Sequence, residues 1–582
     1  MKTLSATTFL IAMIVLILLP GQSFSQSGTM IVYANSSSTL DQIINGDVTG
    51  GVNNHSVYQL VSTDTTYLLD ATITSQSGIS IIGVPDPSTG KLPCIEADVL
   101  SDNSIPGIFF TFTGQGTRVM LKNLYLLGIA PNNVNNTALG QGVQISADSI
   151  SLTVDNCVFD MMSQFEIAFG SNWNKFYITN SKFRNGIDVA SAYYVPELLR
   201  SLNGQGNWST DTIYIKYNTL LGVAMGPVVT TGITNYFEFS HNDAILLSKG
   251  PMWSEHVVNA KLNDNIFYDV YAVGESKTEY NGGWDEIAPP RIPSIFYFNT
   301  LDSSSAALFL GHAITSQADY DAAEATRTVE IKNNAYFWSS GLTDFWSTWN
   351  QTHIGDSDSI ITPVFMNDES MAMFNDPTKW PGFVQSGNQN VDPGFGPTIE
   401  TTLDPGSETN YGVGLLAWIE AVRGGSGTTE YYSYQKTVVG TAADWTPTWP
   451  LPEAVDLQYS NAALKTGATD GGYVGDPYWF TGVTGVEEVS GLAPNRFALY
   501  EAYPNPFNPS TTIRFSIPQS GDVTLKVYNV TGQEVMTVLD NEFKANGTYD
   551  VKIDMSNLSS GVYFYTLRQN ANFLTKKMIL LK

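Results

Sequence analysis

One short pattern recurs between residues 119 and 340: an apolar residue, a spacer, a polar residue that is usually Asn, two variable residues, then an aromatic or aliphatic one. It reads Leu121-Lys122-Asn123-Leu124-Tyr125-Leu126, Val154-Asp155-Asn156-Cys157-Val158-Phe159, Ile178-Thr179-Asn180-Ser181-Lys182-Phe183 and Ile215-Lys216-Tyr217-Asn218-Thr219-Leu220. Further copies start at Phe239, Leu262 and Ile331. The starts are separated by 33, 24, 37, 24, 23 and 69 residues, which fits one period of 23–24, the same period with an insertion, and three periods for the longest gap. No helical periodicity accompanies the pattern, so each unit is a turn of short strands that buries its apolar side only by stacking on the next. The expected architecture is a solenoid.

Stacked strands lie about 4.8 Å apart, which brings equivalent residues into files. Asn side-chain amides can then bond along the axis, and Asn also tolerates the left-handed backbone of a tight corner. Asn123, Asn156 and Asn180 are therefore expected in one file. Thr39 to Ile44 reads as a short cap, Gly78 to Gly83 as an early coil, and Val391 to Phe395 and Gly471 to Trp479 as terminal turns. Between residues 341 and 460 the pattern is lost. Trp338, Trp346 and Trp349 suggest aromatic packing in an insertion, and Tyr411 to Arg423 a short helix. The two cysteines, Cys94 and Cys157, are too few for a disulfide scaffold or a four-thiolate zinc site, and either pair or lie buried as free thiols.

From about residue 30 to 480 this set of features resembles the right-handed parallel β-helix of the pectate-lyase-like superfamily. That superfamily holds lyases, hydrolases, adhesins and inert filaments, so the resemblance implies a fold more than an activity. β-Elimination in such a lyase would need an Arg base in an Arg-x-Pro-x-x-Arg motif and a cation, usually Ca²⁺, on the uronate. Arg291-Ile292-Pro293-Ser294-Ile295-Phe296 matches its first Arg and Pro, with Phe296 in place of the second Arg. The carboxylate constellation of polygalacturonases is absent; Asn299-Thr300-Leu301-Asp302 and Gly311-His312-Ala313 are near misses.

The segment Pro251 to Arg291 is the candidate ligand surface. Arg291, Glu255 and His256 are its candidate catalytic residues, and Trp253, Trp284, Asp285 and Glu286 its candidate carbohydrate-binding residues. Indole rings stack on the apolar faces of sugars, while carboxylates bond hydroxyls or hold Ca²⁺. Asp264 and Asp269 are further Ca²⁺ candidates, without a complete Asp-x-Asp-x-Asp-Gly loop. Phosphate-binding glycine loops and nucleophile elbows are missing.

The ends of the chain carry addresses. Met1-Lys2 precedes the apolar run Phe9 to Leu19 and the small residues around Ser23 and Ser25, the order of a secretory signal peptide. The run is shorter than the ~20 residues that span a bilayer, and no later stretch replaces it. Residues 503–510 read Tyr-Pro-Asn-Pro-Phe-Asn-Pro-Ser, and alternating strands follow up to Lys576-Lys577-Met578-Ile579-Leu580-Leu581-Lys582. Prolines remove backbone donors, so the first segment should be an extended boundary, and the strand spacing predicts a small antiparallel Ig-like sandwich. These motifs closely resemble the type A C-terminal sorting domain of the type IX secretion system. The resemblance implies passage through the periplasm, release or attachment at the outer-membrane surface, and type IX machinery as a partner.

The chain is thus expected to be all-β: signal peptide 1–25, parallel β-helix with insertions 26–480, linker 481–498 and sorting domain 499–582. Against 28 Lys and Arg stand 55 Asp and Glu, a net charge of −27, which disfavours nucleic acid as a partner. An extracellular polysaccharide, bound and in an active form degraded, is the expected partner. The alternative is a noncatalytic surface adhesin or matrix protein.

Overall fold

The computed structural model describes residues 28–128, 140–184, 197–202, 208–276, 293–396, 457–480 and 497–581, less short loops within these spans, and a few isolated residues elsewhere. The chain divides into two compact units between Trp479 and Phe480.

The first unit is a parallel β-helix. The central coils each contribute a strand to three sheets in turn. The first sheet runs from Thr29–Val32 through Arg118–Lys122, Ser151–Asp155 and Thr210–Lys216 to Gly382–Ser386, every neighbour parallel. The second is ten-stranded, from Tyr67–Leu69 to Gln389–Asn390. A third carries Ile73–Ser75, Ile108–Phe112, Gln141–Ile145, Phe165–Phe169 and Glu197–Ser201, and joins the first through the long strands Val228–Ser240 and Met252–Lys261. One apolar core runs inside from Val32 to Phe383, with rings stacked along it, as in Phe159 and Phe183 at 5.1 Å between centroids.

The corner between the first and second sheets explains the repeat. Asn123, Asn156, Asn180, Tyr217, His241, Asp264 and Asn333 hold it, all with φ between 50° and 61°. Such a backbone costs roughly 1–2 kcal/mol for most residues and least for Asn and Asp. The expected file of Asn123, Asn156 and Asn180 is present, with Asn156 Nδ2 donating to Asn123 Oδ1 at 2.8 Å. The Asn of the later copies belongs to a different file, one residue further on. Asn218, Asn242, Asn265, Asn334 and Asn388 form a buried ladder, each Nδ2 donating to the next Oδ1 at 2.9–3.1 Å. Each of these Oδ1 atoms also accepts the backbone N–H of the residue one coil earlier. In earlier coils the same file holds Leu124, Cys157 and Ser181. Cys94 and Cys157 are both buried free thiols.

The spacing of 69 residues is not three coils. Lys261 lies beside Glu330 in register, so Leu262 and Ile331 belong to neighbouring coils and the interval is one coil carrying a long insertion. Inverting three periods into one changes the coil count, because the insertion folds outside the stack. It contains helices α2 (Ser303–Leu310) and α3 (Gln317–Thr326); α1 (Leu40–Gly46) caps the start of the solenoid. Asp302 caps α2 by accepting from Ser305 N, and Ser316 with Asp319 forms a capping box on α3. Helix α4 (Ser340–Thr352) is pinned by Trp346 Nε1 donating to Ala272 O, and Trp338 Nε1 donates to Val270 O. Most of 411–423 lies outside the described residues.

The second unit is a sandwich of two four-stranded antiparallel sheets over one core that includes Ile513, Phe515, Val527, Tyr565 and Leu580. One sheet includes the short strand Glu487–Glu488, paired with Tyr549 and Asp550. In the proline-rich boundary, Asn505 takes the place of a backbone partner: its Oδ1 accepts Ile579 N at 2.8 Å and its Nδ2 reaches Lys577 O. Tyr565 Oη accepts Ala502 N and donates to Tyr500 O, fastening the same segment.

Candidate functional site

Of the predicted site residues, Trp284, Asp285, Glu286 and Arg291 lie outside the described residues. Trp253 and Glu255 are placed by backbone only, in the strand Met252–Lys261. The register brings Trp253 onto a file that runs from Thr74 through Thr111, Gln144, Ala168, Arg200 and Val229.

His256 is buried, and burial lowers its pKa against the pull of Asp302, whose Oδ2 is 3.4 Å from Nε2. Its surroundings are a clamp. Arg327, fully buried, donates from Nε to Val257 O and from Nη1 to Asn299 O and Glu324 Oε2, each at 2.9 Å. Glu324 in turn accepts Leu301 N and Trp380 Nε1 at 2.6 Å. These bonds seat α2 and α3 on the last coils. The described part of the predicted cluster thus joins insertion to solenoid.

A different group on the third sheet has the attributes of a site. Phe109 and Phe110 are both in the core, as are Leu198 and Leu199, so each strand here turns two successive residues inward. The residues immediately before and after that pair then share the outer side: Gln141 with Gln144, Phe165 with Ala168, Glu197 with Arg200. Arg200 Nη1 meets Glu197 Oε1 at 2.5 Å, although the two are three apart on a strand, and its guanidinium lies 6.0 Å from the Phe165 ring centroid. Burial pushes the Glu197 carboxyl up to about 7, with Arg200 opposing. Glu197 Oε2 and Gln141 Oε1, two coils apart in register with Phe165 between, have no hydrogen-bond partner among the described residues.

The coil between them carries Glu166, fully buried, with neither carboxyl oxygen partnered among the described residues. Burial, and then the charge of Asp160, hold its pKa well above the usual carboxylate range. It follows Gly142 on the preceding coil, where a Cβ would fall 2.6 Å from Glu166 O and 2.8 Å from the Phe159 ring. Asp160 accepts from Arg184 Nε and the Tyr125 hydroxyl at 2.8 and 2.9 Å. A buried polar atom without a partner costs about 1–3 kcal/mol, and folded chains keep few. Three successive coils of one sheet keep four.

Sequence reading passed over Glu197 and Arg200. A pair three apart has no meaning on a regular strand, where side chains alternate, and only the doubled inward turn brings the two together. The signal present was the pair itself, a Glu and an Arg within Glu197-Leu198-Leu199-Arg200.

Asp264 accepts Thr469 N and Oγ1, and Asp269 Oδ1 accepts Ser339 N, so each Ca²⁺ candidate is engaged in packing. Among the described residues no group of three or more His, Cys, Asp or Glu is arranged to hold a metal ion, and no helix is long and apolar enough to cross a membrane.

Fold and terminal sandwich together define an exported β-solenoid. Residues 501–581 match the secretion system C-terminal sorting domain. That domain marks the chain as cargo of the type IX secretion system, destined for the cell surface or the medium. No curated protein matches the chain.

Proposed function

We propose that the solenoid, with the pectate-lyase-like character its repeats suggest, binds an extracellular polysaccharide along its third sheet and acts on it there. The observation that carries this reading is the Glu197–Arg200 pair, in which Glu197 Oε2, with Gln141 Oε1 two coils away on the same side, has no hydrogen-bond partner among the described residues. Sugar hydroxyls are donors suited to Gln141 Oε1 and Glu197 Oε2, and Arg200 would meet a uronate carboxylate in a chain that is otherwise strongly acidic. A carboxyl near pKa 7 can take or give a proton at neutral pH, as C5 abstraction or leaving-group protonation requires. Trp253 follows on the file of Arg200, and Glu255, Trp284, Asp285, Glu286 and Arg291, further along the chain, are assigned to the same site, with His256 left to the clamp. Ca²⁺ would serve as an accessory between uronate and protein carboxylates.

A glycan array on the full chain, and product absorbance of unsaturated uronates with and without Ca²⁺, test the reading. Arg200→Ala is expected to weaken binding at least about tenfold, since truncating one partner of a buried pair costs about 2–5 kcal/mol. Glu197→Gln should retain binding and lose turnover, and wild-type turnover should change slope near pH 7. Absence of binding across plant, algal and microbial glycans would leave the solenoid as a noncatalytic surface or matrix spacer.

A further inference from the structure

The last segment of the solenoid unit, residues 457–479, does not end on the final coil. It returns across the outside of the second sheet, against the direction of stacking. Thr469 and Gly475 bond Asp264, with Gly475 N donating to Asp264 O at 2.6 Å. His241, one coil earlier, holds Tyr473 O through Nδ1 at 3.1 Å and faces Asp264 and Asp470 with Nε2. One coil earlier again, Thr219 Oγ1 donates to Asp476 Oδ2 at 2.8 Å and accepts from Trp479 Nε1 at 2.9 Å. Beyond Thr219, Lys182 Nζ sits 3.4 Å from the Tyr478 ring centroid. Four successive coils are thus bridged by one strap.

Its centre holds two buried carboxyls. Asp476 rests on Thr219, whose register neighbour is Asp243. Gly475 approaches so closely that a Cβ would lie 2.2 Å from Asp243 Oδ1, an oxygen with no hydrogen-bond partner among the described residues. The groups facing this pair are Lys182 from the second sheet, with Arg184 beside it bound to Asp160, and Tyr459 and Tyr478 from the strap; His241, Lys216, Asp264 and Asp470 line its other end. Ionising both carboxyls within the closed strap is disfavoured by their burial and by each other's charge, with Lys182 opposing at Asp476.

We infer that residues 457–479 form a proton-dependent clasp that makes the coils from Lys182 to Asp264 one cooperative unit. Asp243 and Asp476 are both held above the usual range by burial, with the neighbouring Asp476 charge adding at Asp243. Closure is therefore fully favoured below the ordinary carboxylate pKa and weakens as pH rises. Asp264, raised to about 6, has largely titrated by pH 6.5. His241, lowered to about 4, stays neutral above that pH in the closed form, and Lys182, lowered to about 8, acts mainly above pH 8. In the open form His241 returns to its ordinary value near 6.5 and sheds about half a proton between pH 6.5 and 7.5, which opposes the carboxyls only in part, so that window reads mainly the carboxyl pair.

Amide hydrogen exchange on the full chain reads the clasp directly. For one proton held on closure, the protection factors of residues 457–479 should fall about tenfold from pH 6.5 to 7.5. Asp243→Asn should remove that dependence. A change below about threefold, or its persistence in Asp243→Asn, overturns the inference. The coupling has its own readout at pH 6.5. Trp479→Phe with Thr219→Val should lower protection in the strands Lys182–Arg184 to Ile266–Tyr268 as a block and spare Tyr67–Leu69; loss confined to the strap, or spread over every coil, overturns it.

Discussion

Arg327→Ala is expected to destabilise the solenoid unit by about 3–5 kcal/mol in denaturant unfolding, the range for breaking a buried ion pair at one partner. Arg327 is fully buried, and so is Glu324, whose Oε2 it meets at 2.9 Å. Removing the guanidinium leaves a carboxylate without its counter-charge, and leaves Val257 O and Asn299 O without a donor. The pair differs from an isolated buried salt bridge in one respect that the experiment exposes. Apolar replacement of both partners is often neutral or favourable. Here Glu324→Leu with Arg327→Met should not recover the loss, because Leu301 N and Trp380 Nε1 are then orphaned as well. A double variant as stable as the wild type would show that the backbone and indole bonds carry nothing, and that the loss in Arg327→Ala is only the cost of an uncompensated buried charge.

The clamp also shows where sequence reading stops. The stacked-coil architecture was legible because its cause is local: each corner needs a left-handed residue, and Asn123, Asn156 and Asn180 supply it at a spacing that can be counted. The terminal sandwich was legible for the same reason, through alternation and a proline-rich boundary. Long-range pairing was not. His256 looks like a catalytic residue beside Glu255, yet its partner Asp302 is carried on an insertion whose length reads as two further coils. Gly471 to Trp479 reads as a turn, and nothing in it announces that Asp476 will reach Thr219, 257 residues earlier. Glu197 and Arg200 stayed hidden because their meeting depends on two successive inward residues, which alternation alone denies.

The same repeat asparagine has two physical roles, and Asn265→Leu should separate them. Asn265 Oδ1 accepts Asn242 N and Nδ2, while its own Nδ2 donates to Phe239 O and Asn334 Oδ1. Leucine fits the volume and satisfies none of these. Asn242 N–H and Phe239 C=O would be stranded in the interior at about 1–3 kcal/mol each, so a loss of about 3–5 kcal/mol is expected, with the two flanking coils losing exchange protection first. Asn265→Ser should cost less, because Ser181 already fills this file and its hydroxyl accepts Cys157 N at 3.0 Å. Asn180 sits one residue earlier in its own coil, exposed, at φ 52°. There the backbone governs: Asn180→Ala should cost roughly 1–2 kcal/mol through the left-handed conformation, and Asn180→Gly should be close to neutral. If Asn265→Leu proved as mild as Asn180→Ala, the ladder would be an ornament on a stack held by its apolar core alone. The file would then have no reason to change from Leu124 and Cys157 to asparagine in the later coils, where long insertions interrupt the stack and its neighbours must be held in register.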